Sequence, residues 1–174
     1  FAGAVLVTTP ERARFSSHAP VAVLGGGEGH THAHLTRSPD VLRTGASLSG
    51  QQAFSSAGVS PEDIDFAQLY DCFTSAVANE LEELGFCRRG EGALFAASGA
   101  LAPGGQLPFN TNGGMLSQGH TGTGGGIAVL VEAARQLFGE AGQRQVQGAR
   151  FAVETATGGT YMDSHVTVLG TEVP

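Results

Sequence analysis

The chain has 174 residues but no lysine, no tryptophan and no apolar run close to the roughly 20 residues that a membrane span requires. Without lysine it can supply neither a Schiff base nor a Gly-Lys-Ser/Thr phosphate loop. Its formal net charge of −7 argues against nucleic acid as the main partner, because phosphate binding needs a basic face. We therefore expect neither nucleic acid nor a membrane among its partners.

Cysteine is also scarce, and the first residues have no targeting pattern. Cys72 and Cys87 could form at most one disulfide, and we expect two reduced thiols in a cytoplasmic protein. The first seven residues include no basic leader, so we do not expect a signal peptide. The apolar run Ala4 to Thr8 is typical of a buried strand.

Glycine, in contrast, is abundant. The chain has 27 glycines, a hydrophobic content of 41% and a charged content of 14%, which together indicate a folded chain of about one domain. Periodicity and glycine stops predict four further strands and four helices. The predicted strands are Val21–Leu24, Ile64–Leu69, Arg150–Glu154 and Val166–Leu169, and the predicted helices cover 40–57, 73–84, 93–97 and 126–138. This order favours a mixed sheet covered by helices.

Reactive side chains occur in three places: Tyr70 to Phe73 after a strand, the loop 110–126, and the turn 156–161. His120 lies among glycines just before a helix, where free N–H groups and a general base could meet a ligand. The helix that follows Cys72 should lower the pKa of its thiol.

Five segments together resemble one protein family. They are Gly58–Asp65, Tyr70–Phe73 (Tyr-Asp-Cys-Phe), Leu84–Gly92, Asn112–His120 (Asn-Gly-Gly-Met-Leu-Ser-Gln-Gly-His) and Gly139–Val146. In this order they resemble the C-terminal half of the thiolase superfamily, in its lipid-transfer-protein (sterol-carrier) branch. The resemblance implies an α/β, thiolase-like βαβαβαββ half with a mixed five-stranded sheet. Residues 1–19 would then be the last strand of the N-terminal half and a connector, and residues 20–174 the C-terminal thiolase domain.

The resemblance also implies roles for single residues. His120 matches the histidine that activates the family's nucleophilic cysteine, Tyr70 stands where a histidine normally polarises a carbonyl oxygen, and Cys72 resembles an acid/base cysteine. Tyr161, beside the glycine turn, is a further candidate for proton transfer. The residues expected to bind the thioester of coenzyme A are Asn112, Gly119, Gly158 and Gly159.

The motifs depart from the family pattern in three ways. Thr121 replaces the proline after the histidine, Tyr70 replaces a histidine, and the late Cys-x-Gly turn reads Ala156-Thr157-Gly158. These changes favour retro-aldol cleavage of a β-hydroxyacyl-CoA in lipid or steroid side-chain catabolism. A 3-ketoacyl-CoA thiolase (acyltransferase) and a non-catalytic thiolase-like subunit stay open as alternatives.

The partners expected from the resemblance are an acyl-CoA substrate, an N-terminal thiolase half, a second copy in a homodimer and a small OB-fold acyl-CoA-binding protein. Coenzyme A would enter as part of the substrate, with no covalently bound cofactor, and the chain alone should be inactive. His30, His32 and His34 follow a glycine run, and we interpret them as a surface loop rather than as metal ligands.

Overall fold

A computed structural model describes residues 2–122, 124–159 and 161–172 of the chain. Within these ranges, four strands form one mixed sheet in the order β1-β4-β3-β2. The strands are β1 (Ala22–His30), β2 (Phe66–Gln68), β3 (Phe151–Gly158) and β4 (Asp163–Gly170), and the α-helices are α1 (Pro10–Ala13), α2 (Ala46–Ala57), α3 (Thr74–Glu83), α4 (Gly92–Ala97), α5 (Gly114–Gln118) and α6 (Gly124–Leu137). β4 is antiparallel to β1 and to β3, whereas β2 and β3 are parallel.

Helices cover both faces of this sheet, as predicted. On one face, Ala53 of α2 and Leu81 of α3 share a core with Val153 and Val168. On the other face, Ala133 and Leu137 of α6 pack against alternate strand residues such as Ala152. The alternation follows from the two-residue period of a strand. The α/β class and the mixed sheet are therefore confirmed.

The expected fifth strand is absent from the described residues. Beside the free edge of β2, Phe109 makes a single parallel bridge to Ala67. Pro108 can accept a ladder hydrogen bond, from the N–H of Ala67 at 3.0 Å, but it has no N–H to donate. Ala4 to Thr8, predicted as a strand, forms no regular element either, because no described strand pairs with it.

β1 corrects another prediction, because it continues through the glycines that were expected to end it. Gly25, Gly27 and Gly29 all face α2, and a methyl group on them would lie 2.1, 2.0 and 2.3 Å from backbone carbonyl oxygens of α2 or of its N-cap residue. These oxygens belong to residues 53, 49 and 45, one helical face that runs antiparallel to the strand. Two strand residues span roughly 6.6 Å and four helical residues roughly 6.0 Å, so every second strand residue lies opposite every fourth helical residue. The glycines therefore serve close packing and do not stop the strand.

Helix ends were predicted better than helix starts. Gly58 and Gly85 follow α2 and α3 with φ of 71° and 86°, the left-handed conformation of a glycine stop. The start of α2 was placed at Asp40, but the helix begins at Ala46, after Gly45 with φ of 82°. Asp40 instead binds the N–H of Leu42 in a turn.

Candidate active site

The end of β2 is fastened to the loop that carries His120. The side chain of Asn110 accepts the N–H of Leu69 at 2.8 Å and donates to the carbonyl of Leu69 at 2.9 Å. The next turn is held by Asp71, which accepts the N–H groups of Met115 at 2.8 Å and Leu116 at 3.3 Å at the start of α5. Both side chains are buried, so these bonds fix how Tyr70 and the His120 loop face one another.

Tyr70 and His120 form a hydrogen-bonded pair. The Tyr70 hydroxyl lies 3.1 Å from Nε2 of His120, with the two rings edge to face. Nδ1 of His120 accepts the N–H of Gly122 at 3.0 Å. A neutral ring with that acceptor carries its proton on Nε2 and donates it to Tyr70. The Tyr70 hydroxyl hydrogen is then free for a ligand, which makes the pair a donor to an oxygen.

Cys72 and Tyr161 form a second pair. Sγ of Cys72 lies 4.0 Å from the hydroxyl oxygen of Tyr161. Tyr161 belongs to the turn between β3 and β4 and has φ of 65°, a left-handed conformation that a bulky residue rarely adopts. Such strain is typical of functional sites, where the surrounding structure holds a side chain in place.

Burial favours the neutral forms of Tyr70, Cys72 and Tyr161. It raises the pKa of Tyr161 to about 12 and also raises the pKa of Tyr70, and a charge on Cys72 would add to both effects. Burial likewise raises the pKa of the Cys72 thiol, and the nearby Glu80 carboxylate raises it further. The prediction that the start of α3 lowers this pKa is therefore wrong, because desolvation outweighs the helix end. Tyr70, Cys72 and Tyr161 therefore offer neutral proton donors, and Cys72 does not offer a thiolate.

The residues expected to bind the thioester fall into two groups. Asn112 and Gly119 line one small cleft between α5 and the start of α6. Asn112 accepts the N–H of Gly114 at 3.0 Å, and Gly119 ends α5 with φ of 107°. Gly158 and Gly159 lie instead at the end of β3 and in its turn, beside Tyr161. The structure thus places one group with the His120 loop and the other with the Cys72–Tyr161 pair.

Two buried carboxyl groups near these pairs were missed by sequence reasoning. Glu80 of α3 is fully buried and accepts hydrogen bonds from Thr155 and Thr157 of β3. Glu154 lies on the opposite face of β3. A signal for Glu80 was present in the sequence, because it falls on the apolar stripe of α3, three residues after Val77 and one before Leu81.

The histidines after the glycine run lie at the end of β1 and just after it. His30 ends β1 and its Nδ1 lies 2.6 Å from Asp163, but no three histidine, cysteine or acidic residues in the described ranges converge as metal ligands would. Of the helices that the structure describes, none combines the length and the hydrophobicity of a bilayer span. Cys72 and Cys87 are both free thiols.

Comparison with known proteins identifies the family. Residues 27–171 match the thiolase C-terminal domain-like family. A steroid side-chain-cleaving aldolase of Thermomonospora curvata is 41% identical over 137 residues, 76% of this chain and 35% of that protein. An acetyl-CoA acetyltransferase of Methanothermobacter thermautotrophicus is 34% identical over 160 residues, 91% of this chain and 42% of that protein.

A solved structure described as an Ltp2-ChsH2(DUF35) aldolase has a TM-score of 0.83 and 35% identity, and the match covers 92% of this chain and 42% of the other. The chain therefore spans less than half the length of these relatives. The predicted resemblance is confirmed, and the chain belongs to the thiolase C-terminal domain-like family, in the lipid-transfer-protein branch of the thiolase superfamily.

Proposed function

We propose that this chain is the C-terminal half of an acyl-CoA lyase that cleaves a β-hydroxyacyl-CoA by a retro-aldol reaction in lipid or steroid side-chain catabolism. The hydrogen bond between Tyr70 and His120 is the observation that carries this proposal, because it prepares a phenol to donate to a carbonyl oxygen. The steroid side-chain-cleaving aldolase and the aldolase structure among its relatives support the same class of reaction.

In this proposal, the Tyr70–His120 pair binds the thioester oxygen and stabilises the enolate formed as the C–C bond breaks. The electrons of that bond move to the thioester, so no lysine imine is needed. The β-hydroxyl proton passes to the oxygen of Tyr161, whose own proton moves on to the α-carbon of the enolate. The products are a ketone or aldehyde and a shortened acyl-CoA, with no net gain or loss of protons. This neutral relay fits the raised pKa values of Tyr161 and Cys72.

We further propose that the chain works with an N-terminal thiolase half, in a homodimer and together with a small OB-fold acyl-CoA-binding partner. The first part rests on the share of the relatives that the chain covers. The last rests on the two-component name of the solved aldolase. The proposal has coenzyme A, as part of the substrate, bind with its thioester near Asn112, Gly119, Gly158 and Gly159, and it has the enzyme act in the cytoplasm.

Tyr70→Phe in the intact enzyme, with both thiolase halves present, tests the proposal. Removing the hydroxyl should lower kcat for β-hydroxyacyl-CoA cleavage by about 100-fold or more, as the loss of one oxyanion donor does elsewhere. His120→Ala should cause a similar loss, whereas His34→Ala, in the exposed loop after β1, should leave kcat unchanged. Full activity of Tyr70→Phe would refute the donor role of Tyr70.

The acetyltransferase among the relatives favours one second candidate, a 3-ketoacyl-CoA thiolase. That reaction needs a reactive thiol, and the raised pKa of Cys72 works against it within this half of the enzyme. CoA-dependent thiolysis of a 3-ketoacyl-CoA by the intact enzyme would favour this candidate.

A further inference from the structure

The buried side chain of Glu80 is connected by hydrogen bonds to the segments that carry Tyr70 and Tyr161. Its side chain has no solvent exposure, although it belongs to the largely polar helix α3. An unpaired carboxyl group in a core costs several kcal/mol or more unless it is hydrogen-bonded or neutral. A buried carboxyl at such a position therefore calls for a specific role.

The hydrogen bonds of Glu80 connect the segment that carries Tyr70 with the segment that carries Tyr161. The N–H of Tyr70 donates to the hydroxyl oxygen of Thr155 at 2.8 Å, and the Thr155 hydroxyl donates to Oε2 of Glu80 at 2.8 Å. The Thr157 hydroxyl donates to Oε1 of Glu80 at 3.1 Å. Thr157 leads directly into the glycine turn that carries Tyr161. One carboxyl group thus fastens the backbone of Tyr70, strand β3 and the start of the Tyr161 turn to α3.

We propose that Glu80 is a positioning residue, which sets the distance between the Tyr70–His120 donor pair and the Tyr161 relay through Thr155 and Thr157. This inference rests on the proposed function, which places the Tyr70–His120 pair at the thioester oxygen and Tyr161 at the β-hydroxyl group, on either side of the C–C bond that breaks. A displacement of about 1 Å at a reacting centre can cost 100-fold in rate, so a rigid link between the pairs has a direct effect on kcat.

The groups that face Glu80 are themselves acidic or neutral. Charges on Glu83, on the same helix, and on Glu154, across the sheet, would repel a charge on Glu80. A charge on Glu80 would in turn disfavour the ionisation of Cys72 and Tyr161. Burial raises the pKa of Glu80 to about 8, with the Glu83 charge adding to the effect. Near neutral pH the group is therefore largely protonated, and its O–H then donates to one of the two threonine hydroxyls, which can accept as well as donate. The amide of a glutamine, with one accepting oxygen and one donating nitrogen, would copy this shape, charge and bonding.

Glu154 provides a matched control. It is a second buried carboxyl on β3, but it lies on the opposite face of the sheet, where Thr167 is its hydrogen-bonding partner. The Glu154–Thr167 pair repeats the chemistry of the Glu80–Thr155 pair without a bond to Tyr70. Variants of the two pairs therefore separate positioning from the general cost of changing a buried acid.

The test measures kcat, KM and amide hydrogen exchange at Tyr70 in the intact enzyme with a β-hydroxyacyl-CoA. Glu80→Leu and Thr155→Val should lower kcat by about 10- to 100-fold with KM within about threefold, and the double variant should lose little more. Both should speed exchange of the Tyr70 amide. Glu80→Gln should retain kcat within about threefold at pH 7, and Glu154→Leu and Thr167→Val should resemble the wild type.

The proposal would be overturned if the folded Glu80→Leu or Thr155→Val variant kept the wild-type kcat and the wild-type exchange rate at Tyr70. It would also be overturned if Glu154→Leu and Thr167→Val lowered kcat by as much. The amide exchange does not depend on the substrate. If the wild type cleaves only 3-ketoacyl-CoA, the proposed function fails, whereas faster Tyr70 exchange in Thr155→Val would still support the link.

Discussion

Gly27→Ala should strongly destabilise the fold, because the strand backbone of β1 packs directly on the helix backbone of α2. A methyl group at residue 27 would lie 2.0 Å from the carbonyl oxygen of Ser49 and 2.8 Å from its carbonyl carbon. Neither atom belongs to a flexible side chain, so α2 and the sheet must separate by roughly 1 Å or more, since ordinary contacts begin near 3.4 Å. Overpacking of this kind costs about 1–3 kcal/mol, and we expect the upper end here because backbone meets backbone.

Gly26→Ala is the matched control for this prediction. Gly26 is the neighbouring residue in the same strand, but it faces outward, and a methyl group there would approach only the carbonyl oxygen of Val166, at 4.0 Å. Its free energy of unfolding should change by less than about 1 kcal/mol, or rise slightly because alanine restricts the unfolded chain. Urea denaturation followed by far-UV circular dichroism is suitable, since the chain has no tryptophan. Equal midpoints for the two variants would refute the backbone contact.

Two further predictions follow from the buried acidic groups. Burial raises the pKa of Glu80 and Glu154 to about 8 in the folded chain, from 4.5, so the folded state binds their protons more tightly than the unfolded state. The contribution of these two groups to the free energy of unfolding should therefore be largest below about pH 4.5. It should fall as the pH rises towards and through 8, by roughly 5 kcal/mol per group at most. Urea titrations between pH 5 and 9 should show a shallower fall for Glu80→Gln, and an unchanged slope would contradict the burial of a titrating carboxyl. Cys72 should react slowly with iodoacetamide at pH 7, and its rate should rise only at a higher pH than that of an exposed cysteine, because burial raises the pKa of its thiol. Rapid alkylation at pH 7, read by mass spectrometry of the Cys72 peptide, would disprove a protonated thiol.

Local patterns in the sequence predicted most of the helices and the positions along the chain of all four strands of the sheet. The apolar stripe of α3 and the glycine stops at Gly58 and Gly85 depend on neighbouring residues only, so a single sequence contains them. The glycines of β1 were misinterpreted because their function depends on α2, some 20 residues further along the chain. Glycine signals a turn when nothing packs against it, and a close contact when a helix does.

The candidate site shows the same difference between local patterns, which a sequence contains, and contacts between distant residues, which it does not. Tyr70 and His120 were selected from their motifs, but the hydrogen bond that pairs them joins residues 50 positions apart. Glu80 was visible as a carboxylate on an apolar stripe, yet its partners Thr155 and Thr157 lie on a distant strand. Residue types and periodicity can therefore nominate the members of a site, whereas their pairing and the resulting pKa shifts need the folded arrangement.

Substrate choice by the intact enzyme, with both thiolase halves and the acyl-CoA-binding partner present, tests the central claim most directly. The enzyme would be offered a β-hydroxyacyl-CoA alone, and separately a 3-ketoacyl-CoA with free coenzyme A, with products identified by mass spectrometry. The account predicts that the first is cleaved to a carbonyl compound and a shortened acyl-CoA without added coenzyme A. Cleavage of the 3-ketoacyl-CoA alone, with the β-hydroxyacyl-CoA untouched, would contradict it.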